Sequence, residues 1–287
     1  MILVTGAAGK TGMAVIEALA KKGATARALV HRAERAAALK TLGAAECVIG
    51  SFEDAGALRR AAEGTRAIYH ICPNVSPHEV AYARAVVTAA HANGVKRFVY
   101  HSVLHPQIEA MPHHWQKMRA EEMLFAAGLD LTILQPTAYM QNILAAFPGI
   151  IAEGVFRVPY PVTTRVSLVD LQDVAEAAAL VLTADGHSGV TYELAGTEAP
   201  NQTEVAAAIA TALNRPVRAE AETVEAWRDR ARAAGMGEYE GATLAAMFRY
   251  YAAHGLIGNS RTLASLLGRK PNDLAAFLHR SAAGGEP

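Results

Sequence analysis

Short apolar runs alternate with amphipathic stretches through the first half of the chain. Ile2–Thr5, Thr25–Val30, Glu46–Ile49, Ala67–Ile71, Arg97–His101 and Leu131–Gln135 are rich in apolar residues along their whole length. Strands read this way when both faces of their sheet are covered. Between them a helical period runs over about 10–22, 34–42, 54–63, 77–93 and 112–127. Strand and helix in strict alternation predict an α/β fold, a parallel doubly wound sheet built through right-handed crossovers. Ligands of such a sheet bind at the carboxyl ends of its strands. Beyond residue 150 the rhythm changes. A short strand at Val155–Val158 leads to a helix ending near Leu182, with Asp170 as a cap. A strand at Thr191–Leu194 and a helix at Thr203–Leu213 follow, then helices over about 222–234, 239–254, 260–267 and 271–280. The tail Ser281–Pro287 reads as frayed.

The first turn adds chemistry to this pattern. Gly6, Gly9 and Gly12 stand three apart between the first strand and the first helix. A glycine at the turn, one where backbone approaches a pyrophosphate, and one where helix meets strand make a phosphate cradle. The helix N-terminus then faces the phosphates with its N–H groups and positive dipole end. The P-loop alternative fails, because Met13 and Ala14 follow Gly12 where that motif needs Lys-Ser/Thr. The second strand ends in His31-Arg32, with no carboxylate to accept from a ribose 2′-hydroxyl. A guanidinium there suits a 2′-phosphate, which favours NADP(H) over NAD(H). Equally, Arg32 and Arg35 begin a surface helix in which Glu34 could pair with one of them.

Composition narrows the partners. The chain has 287 residues, enough for one large core or a core with a smaller lobe, and its 52% hydrophobic content marks a globular protein. Its 27 basic and 27 acidic residues cancel, which argues against nucleic acid or an anionic membrane as partner. Cys47 and Cys72 lie in strand-like runs and read as small core residues. The histidines lack the spacing of a metal site, so no metal is expected. With no basic leader ahead of an apolar stretch, the expectation is a cytoplasmic protein, monomer or homodimer, acting on a small molecule.

Other candidates cluster at strand ends. In Gly50–Asp54, Glu53 or Asp54 would cap the next helix. Pro73 and Asn74, in a rigid loop after the fourth strand, would lie against the cofactor. Ser102, after the fifth, offers a hydroxyl to nicotinamide or substrate. Pro112 opens a helix on which His113 and Lys117 share a face, with His114 nearby. Lys117 would hold a ribose or act as a base if desolvated; alternatively it is a solvated lysine beside Arg119, Glu121 and Glu122. Tyr139, Met140 and Asn142, after the sixth strand, suit a substrate wall, although Tyr139 and Met140 also suit a core.

Together these residues resemble the NmrA-like group of atypical, extended short-chain dehydrogenases. The resemblance spans nearly the whole chain. It rests on Thr5–Gly12, His31-Arg32, Cys72–Pro77, His101-Ser102, Lys117, the element Ser167–Ala175, Thr191–Gly196, Gly255–Ser260 and Leu266–Pro271. It implies a Rossmann-type NAD(P)-binding domain over 1–150. A smaller, mostly helical substrate lobe would cover 151–287, with some chain returning to the main sheet. The implied cofactor contacts are Thr5, Gly6, Gly9, Lys10, Thr11, Gly12, Arg32, Pro73, Asn74 and Ser102. In the group's benzylic-ether and isoflavone-type reductases, a helix lysine placed like Lys117 is the catalytic base or polarising group. Two departures stand out. His113 occupies the tyrosine position of Tyr-x-x-x-Lys, and His31 stands where the group's arginine follows the second strand.

The leading expectation is an NADPH-dependent reductase of a quinone-like or aromatic carbonyl or enone substrate. His113 or His114 would donate a proton or a hydrogen bond, and Lys117 would stabilise oxyanion charge. Histidines in a first helical turn favour the neutral form, since the dipole opposes added positive charge. The missing tyrosine leaves two rivals: a nucleotide-sensing regulator without chemistry, and a non-redox tailoring enzyme on the same fold.

Overall fold

The computed structural model describes residues 1–282. The strands and helices follow the alternation in order: β1 (Ile2–Val4), α1 (Lys10–Lys21), β2 (Ala26–Val30), α2 (Ala36–Thr41), β3 (Ala44–Ile49), α3 (Ala55–Ala62), β4 (Ala67–His70), α4 (Glu79–Ala92), β5 (Arg97–His101), α5 (Pro112–Phe125) and β6 (Asp130–Pro136). They continue with β7 (Ala138–Tyr139), α6 (Phe147–Glu153), β8 (Val155–Val158), β9 (Leu168–Val169), α7 (Leu171–Thr183), β10 (Val190–Leu194), α8 (Gln202–Leu213), β11 (Arg218–Ala221), α9 (Val224–Ala233), α10 (Glu238–His254), α11 (Ser260–Leu267) and α12 (Leu274–Ala282). The main sheet has the order β10-β6-β5-β4-β1-β2-β3, and the pairings from β3 through to β6 are parallel. This is the doubly wound α/β sheet that the apolar runs predict. The order reverses beside β1, so the carboxyl ends of β1 and β4 form the switch point where such folds bind ligands.

Two compact units share the chain. The first comprises 1–107, 113–135 and 174–192; the second comprises 108–112, 136–173 and 193 onwards. The first unit's core lies between the sheet and its helices, with Leu3, Ile68, Phe98, Tyr100 and Ile133 meeting Leu58, Val86, Ala120 and Leu124. Asp54 caps α3 by accepting from Ala57 N at 2.9 Å.

In the second unit, Met140, Ile143, Phe156, Ile209, Phe277 and Leu278 form a separate apolar cluster. Here β8 pairs in parallel with β11, and β7 with β9. Neither β11 nor the two-residue pair is expected from the sequence: Arg-Ala-Glu-Ala carries no β-branched or aromatic signal. Asp170, fully buried, accepts from Gln172 N at 3.1 Å, which is the capping bond expected. It also holds Gln141 Nε2 at 2.8 Å, Asn272 Nδ2 at 2.9 Å and the guanidinium of Arg280. Asp173 binds Arg269 at 2.7 Å and Asn272 N at 2.6 Å. The two carboxylates thereby clamp α12 and the segment before it. Ser281, read as the start of a frayed tail, belongs to α12 and donates to Phe277 O at 3.1 Å; 283–287 lie outside the described residues. No helix among the described residues is long and apolar enough to cross a membrane.

Candidate active site

The glycine turn is built at the end of β1. Gly6 has φ +59°, and a Cβ there would lie 2.7 Å from Ile71 O. A Cβ on Gly12 would meet Gly6 O at 2.5 Å and Ala7 Cα at 2.6 Å. Gly9 differs: it is exposed, and its Cβ would approach only Gly6 O, at 3.3 Å. Gly9 is the N-cap of α1, and no side chain caps this end. A helix N-terminus is thus left open toward a surface without a Cβ, which fits a pyrophosphate. Lys10 is exposed and Thr11 half-buried at this mouth. Thr5 is fully buried: its hydroxyl accepts from Ile71 N at 3.0 Å and shares a 2.9 Å hydrogen bond with His70 Nδ1. That side chain fastens the ends of β1 and β4 together, so any cofactor contact from Thr5 falls to its backbone.

Arg32 is exposed on extended backbone just after β2, ahead of a 3₁₀ turn at Ala33–Arg35. Pro73 and Asn74 are exposed in the loop after β4. Val75 follows them at φ +52°, a left-handed conformation costly for a β-branched residue and typical of functional loops.

The ends of β4 and β5 carry a polar cluster. Lys117 Nζ donates to Glu79 Oε1 at 3.0 Å and to His101 O at 3.1 Å, and lies 5.2 Å from the ring centroid of Tyr100. Tyr100 Oη donates to the same Glu79 oxygen at 2.7 Å. The side chains of Glu79 and Lys117 are 3% and 16% exposed, which rules out the reading of Lys117 as a solvated surface lysine. Burial alone would raise the Glu79 pKa, but the ammonium of Lys117 and the hydroxyl of Tyr100 outweigh it and hold the carboxyl below its usual value. Burial, then the neighbouring Glu79 carboxylate, pushes the Tyr100 phenol well up. One helical turn beyond Lys117, Glu121 is also buried and bonded to Ser102 and Gln135.

His114 is buried, and its Nδ1 shares a 3.2 Å hydrogen bond with the carbonyl of His105. It holds the loop before α5. His113 is half-buried, its Nδ1 inaccessible and without a partner among the described residues. Both are held neutral, as expected from their place in the first turn, but the leading cause is desolvation: burial lowers His113 to about 3 and His114 to about 4. His70 and His101, at the ends of β4 and β5, are lowered by burial to about 4 and about 3.

These histidines set an acid limit on stability. Each has a folded pKa below its unfolded value, so the unfolded chain binds more protons between about pH 6.5 and pH 4. Their contribution is complete above about pH 6.5 and is lost as pH falls, by up to ~1.4 kcal/mol per pH unit for each group. Thermal melts of the nucleotide-free protein should therefore show Tm falling steeply below about pH 6.5. A Tm unchanged down to about pH 5 would mean that these rings charge freely in the folded state.

In the second unit, Met140 is 2% exposed and packs in the apolar cluster with Ile143 and Phe156, so it is a core residue. Tyr139 is half-buried and Asn142 exposed beside it. Two site residues escape the sequence reading. For Glu121 the one signal is its spacing, four residues beyond Lys117 and eight beyond His113 on one helix face, which does not reveal burial. Glu79 offered less: an acid in a first turn is most often a solvated dipole partner.

The NmrA-like family model matches residues 1–278. An NAD(P)H azoreductase of Xenophilus azovorans is 30% identical over 285 residues, covering 99% of this chain and 98% of its own. Quinone oxidoreductase 2 of Escherichia coli is 29% identical over 277 residues, covering 96% of each. The crystal structure of that oxidoreductase complexed with NADPH superposes with a TM-score of 0.87 over 98% of this chain and 99% of its own. With the family model matched along nearly its full length, the chain belongs to the NmrA-like family.

Proposed function

We propose that this protein is an NADPH-dependent reductase of a compact quinone-like or aromatic carbonyl or enone acceptor. The observation that carries the reading is the uncapped N-terminus of α1, opened by Gly6 and Gly12 at the switch point of the sheet. The azoreductase and quinone oxidoreductase relatives support it. Lys10 and Thr11 would flank the pyrophosphate, Arg32 would take the 2′-phosphate, and Pro73, Asn74 and Ser102 would line the way to the nicotinamide. When bound, the cofactor supplies a hydride; the chain supplies orientation and charge.

The reaction runs without the phenol donor of Tyr-x-x-x-Lys, His113 standing in its place. Lys117, held by Glu79, sets a fixed positive charge where the acceptor oxygen becomes negative. A neutral His113 gives a hydrogen bond to that oxygen and steers it. The free thiols of Cys47 and Cys72 suit a reducing compartment such as the cytoplasm.

The test is calorimetric titration with NADPH and NADH, followed by NADPH oxidation with a panel of quinones and aromatic enones. Tighter binding of NADPH and turnover with at least one acceptor are expected. Failure to bind either nucleotide sinks the reading; binding without turnover replaces it with a nucleotide sensor.

A further inference from the structure

A reduced quinone oxygen needs a proton, and the groups nearest the reacting end are poor sources. His113 and His114 are neutral, so neither has an imidazolium proton to give. Tyr100 donates inward to Glu79, and its phenol is made a weaker acid by burial. Lys117 is engaged as the counter-charge of the buried Glu79 carboxylate.

One cluster remains. Glu121 on α5 is 4% exposed, Ser102 after β5 is 2% exposed, and Gln135 on β6 is 7% exposed. Ser102 Oγ is hydrogen-bonded to Glu121 Oε1. Gln135 Nε2 donates to Oε1 at 2.9 Å and to Oε2 at 3.2 Å. This geometry serves both protonation states. As a carboxylate, Glu121 accepts from the Ser102 hydroxyl and from the amide. As an acid, Oε1–H donates to Ser102 Oγ, the amide stays on Oε2, and the Ser102 hydroxyl is released to donate elsewhere. Ser102 adjoins His101, whose carbonyl holds Lys117, so the hydroxyl stands one residue from the fixed charge.

We infer that Glu121, acting through the hydroxyl of Ser102, supplies the proton taken up by the acceptor oxygen. The inference rests on the reductase reading above. A hydride from the reduced nicotinamide brings two electrons and leaves the acceptor oxygen negative. The Ser102 O–H bond breaks as the acceptor O–H bond forms, and the Glu121 O–H bond breaks as that of Ser102 is restored. Glu121 is left as a carboxylate, to be reprotonated from water after product leaves. Four groups face it: Lys117 on its own helix, Tyr100 and Ser102 from β5 and its end, and Gln135 from β6. Desolvation, the leading influence, pushes the carboxyl up, against the lowering effect of Ser102, Gln135 and Lys117.

The test compares the wild type with E121Q and S102A. In infrared difference spectra of the nucleotide-free protein at neutral pH, a buried carboxylic-acid carbonyl band should be present, removed by E121Q and displaced by S102A. With NADPH and a quinone, both variants should lose about a hundredfold in kcat, E121Q while still binding NADPH. The pH dependence of the wild-type rate should lose its basic limb in E121Q. A cationic triarylmethane dye, which takes hydride at carbon and needs no proton, serves as second acceptor. The ratio of quinone to dye turnover should fall in E121Q. Equal losses on both acceptors, or no acid band in the wild type, would overturn the proton assignment while the reductase reading stands. A wild type that binds NADPH yet reduces no quinone removes that reading first, and a dye-independent rate loss in S102A alone would make Ser102 a cofactor contact only.

Discussion

Replacing Lys117 with Ala is expected to lower NADPH-dependent quinone turnover by about a hundredfold to a thousandfold, the usual effect of removing one preorganised charge from a developing oxyanion. The same substitution should destabilise the protein by about 3–5 kcal/mol, because it leaves Glu79 buried without its cation. Glu79 would keep Tyr100 as a donor at 2.7 Å, but a phenol cannot neutralise a carboxylate. The two effects can be separated. In K117M/E79Q both charges are gone, the pair is replaced by groups of similar size, and most of the stability should return. The rate should not return, since the fixed charge is still missing. Thermal melts and steady-state kinetics on wild type, K117A, E79Q and the double variant complete the cycle. A well-folded double variant turning over at the wild-type rate would remove Lys117 from the reaction.

The contrast between what was and was not legible follows from how each residue is buried. The inner strands β1, β4, β5 and β6 announce themselves because a parallel sheet covered on both faces favours near-continuous apolar runs, whereas β3, at the sheet edge, is largely exposed. The glycine turn does so because only a residue without a Cβ satisfies the contacts at Gly6 and Gly12. Charged residues gave the opposite signal. Glu79 and Glu121 look solvated in a linear reading, since a lone acid on a helix usually is. Their burial depends on partners from other elements: Tyr100 and Lys117 for one, Ser102 and Gln135 for the other. Asp170 shows the same limit, its capping bond being local while Asn272 and Arg280 arrive from the far end of the chain. Met140, which the sequence left open between a substrate wall and the core, lies buried in the apolar cluster of the second unit. β11 left no trace because its pairing with β8, rather than any propensity of Arg-Ala-Glu-Ala, makes it a strand.

The glycine turn yields the sharpest separation of folding from binding. In Gly12→Ala the new methyl would lie 2.5 Å from Gly6 O and 2.6 Å from Ala7 Cα, both backbone atoms. Neither can swing aside as a side-chain tip would, so α1 must move away from the turn. Overpacking of this kind costs about 1–3 kcal/mol. Displacing the helix also misaligns the N–H groups that would meet the pyrophosphate. Losing two charge-assisted hydrogen bonds, at about 1.5–3 kcal/mol each, weakens NADPH binding by about a hundredfold or more. Gly9→Ala should behave differently. Its φ of −79° suits any residue, and its Cβ would come no closer than 3.3 Å to Gly6 O. The methyl would instead stand in the exposed mouth, where the phosphates approach. Gly9→Ala should therefore keep the wild-type Tm and lose NADPH affinity, whereas Gly12→Ala should lose both. Melting curves with and without NADPH, paired with calorimetric titration, distinguish the two. Wild-type affinity in both variants would mean that the nucleotide does not rest on this turn.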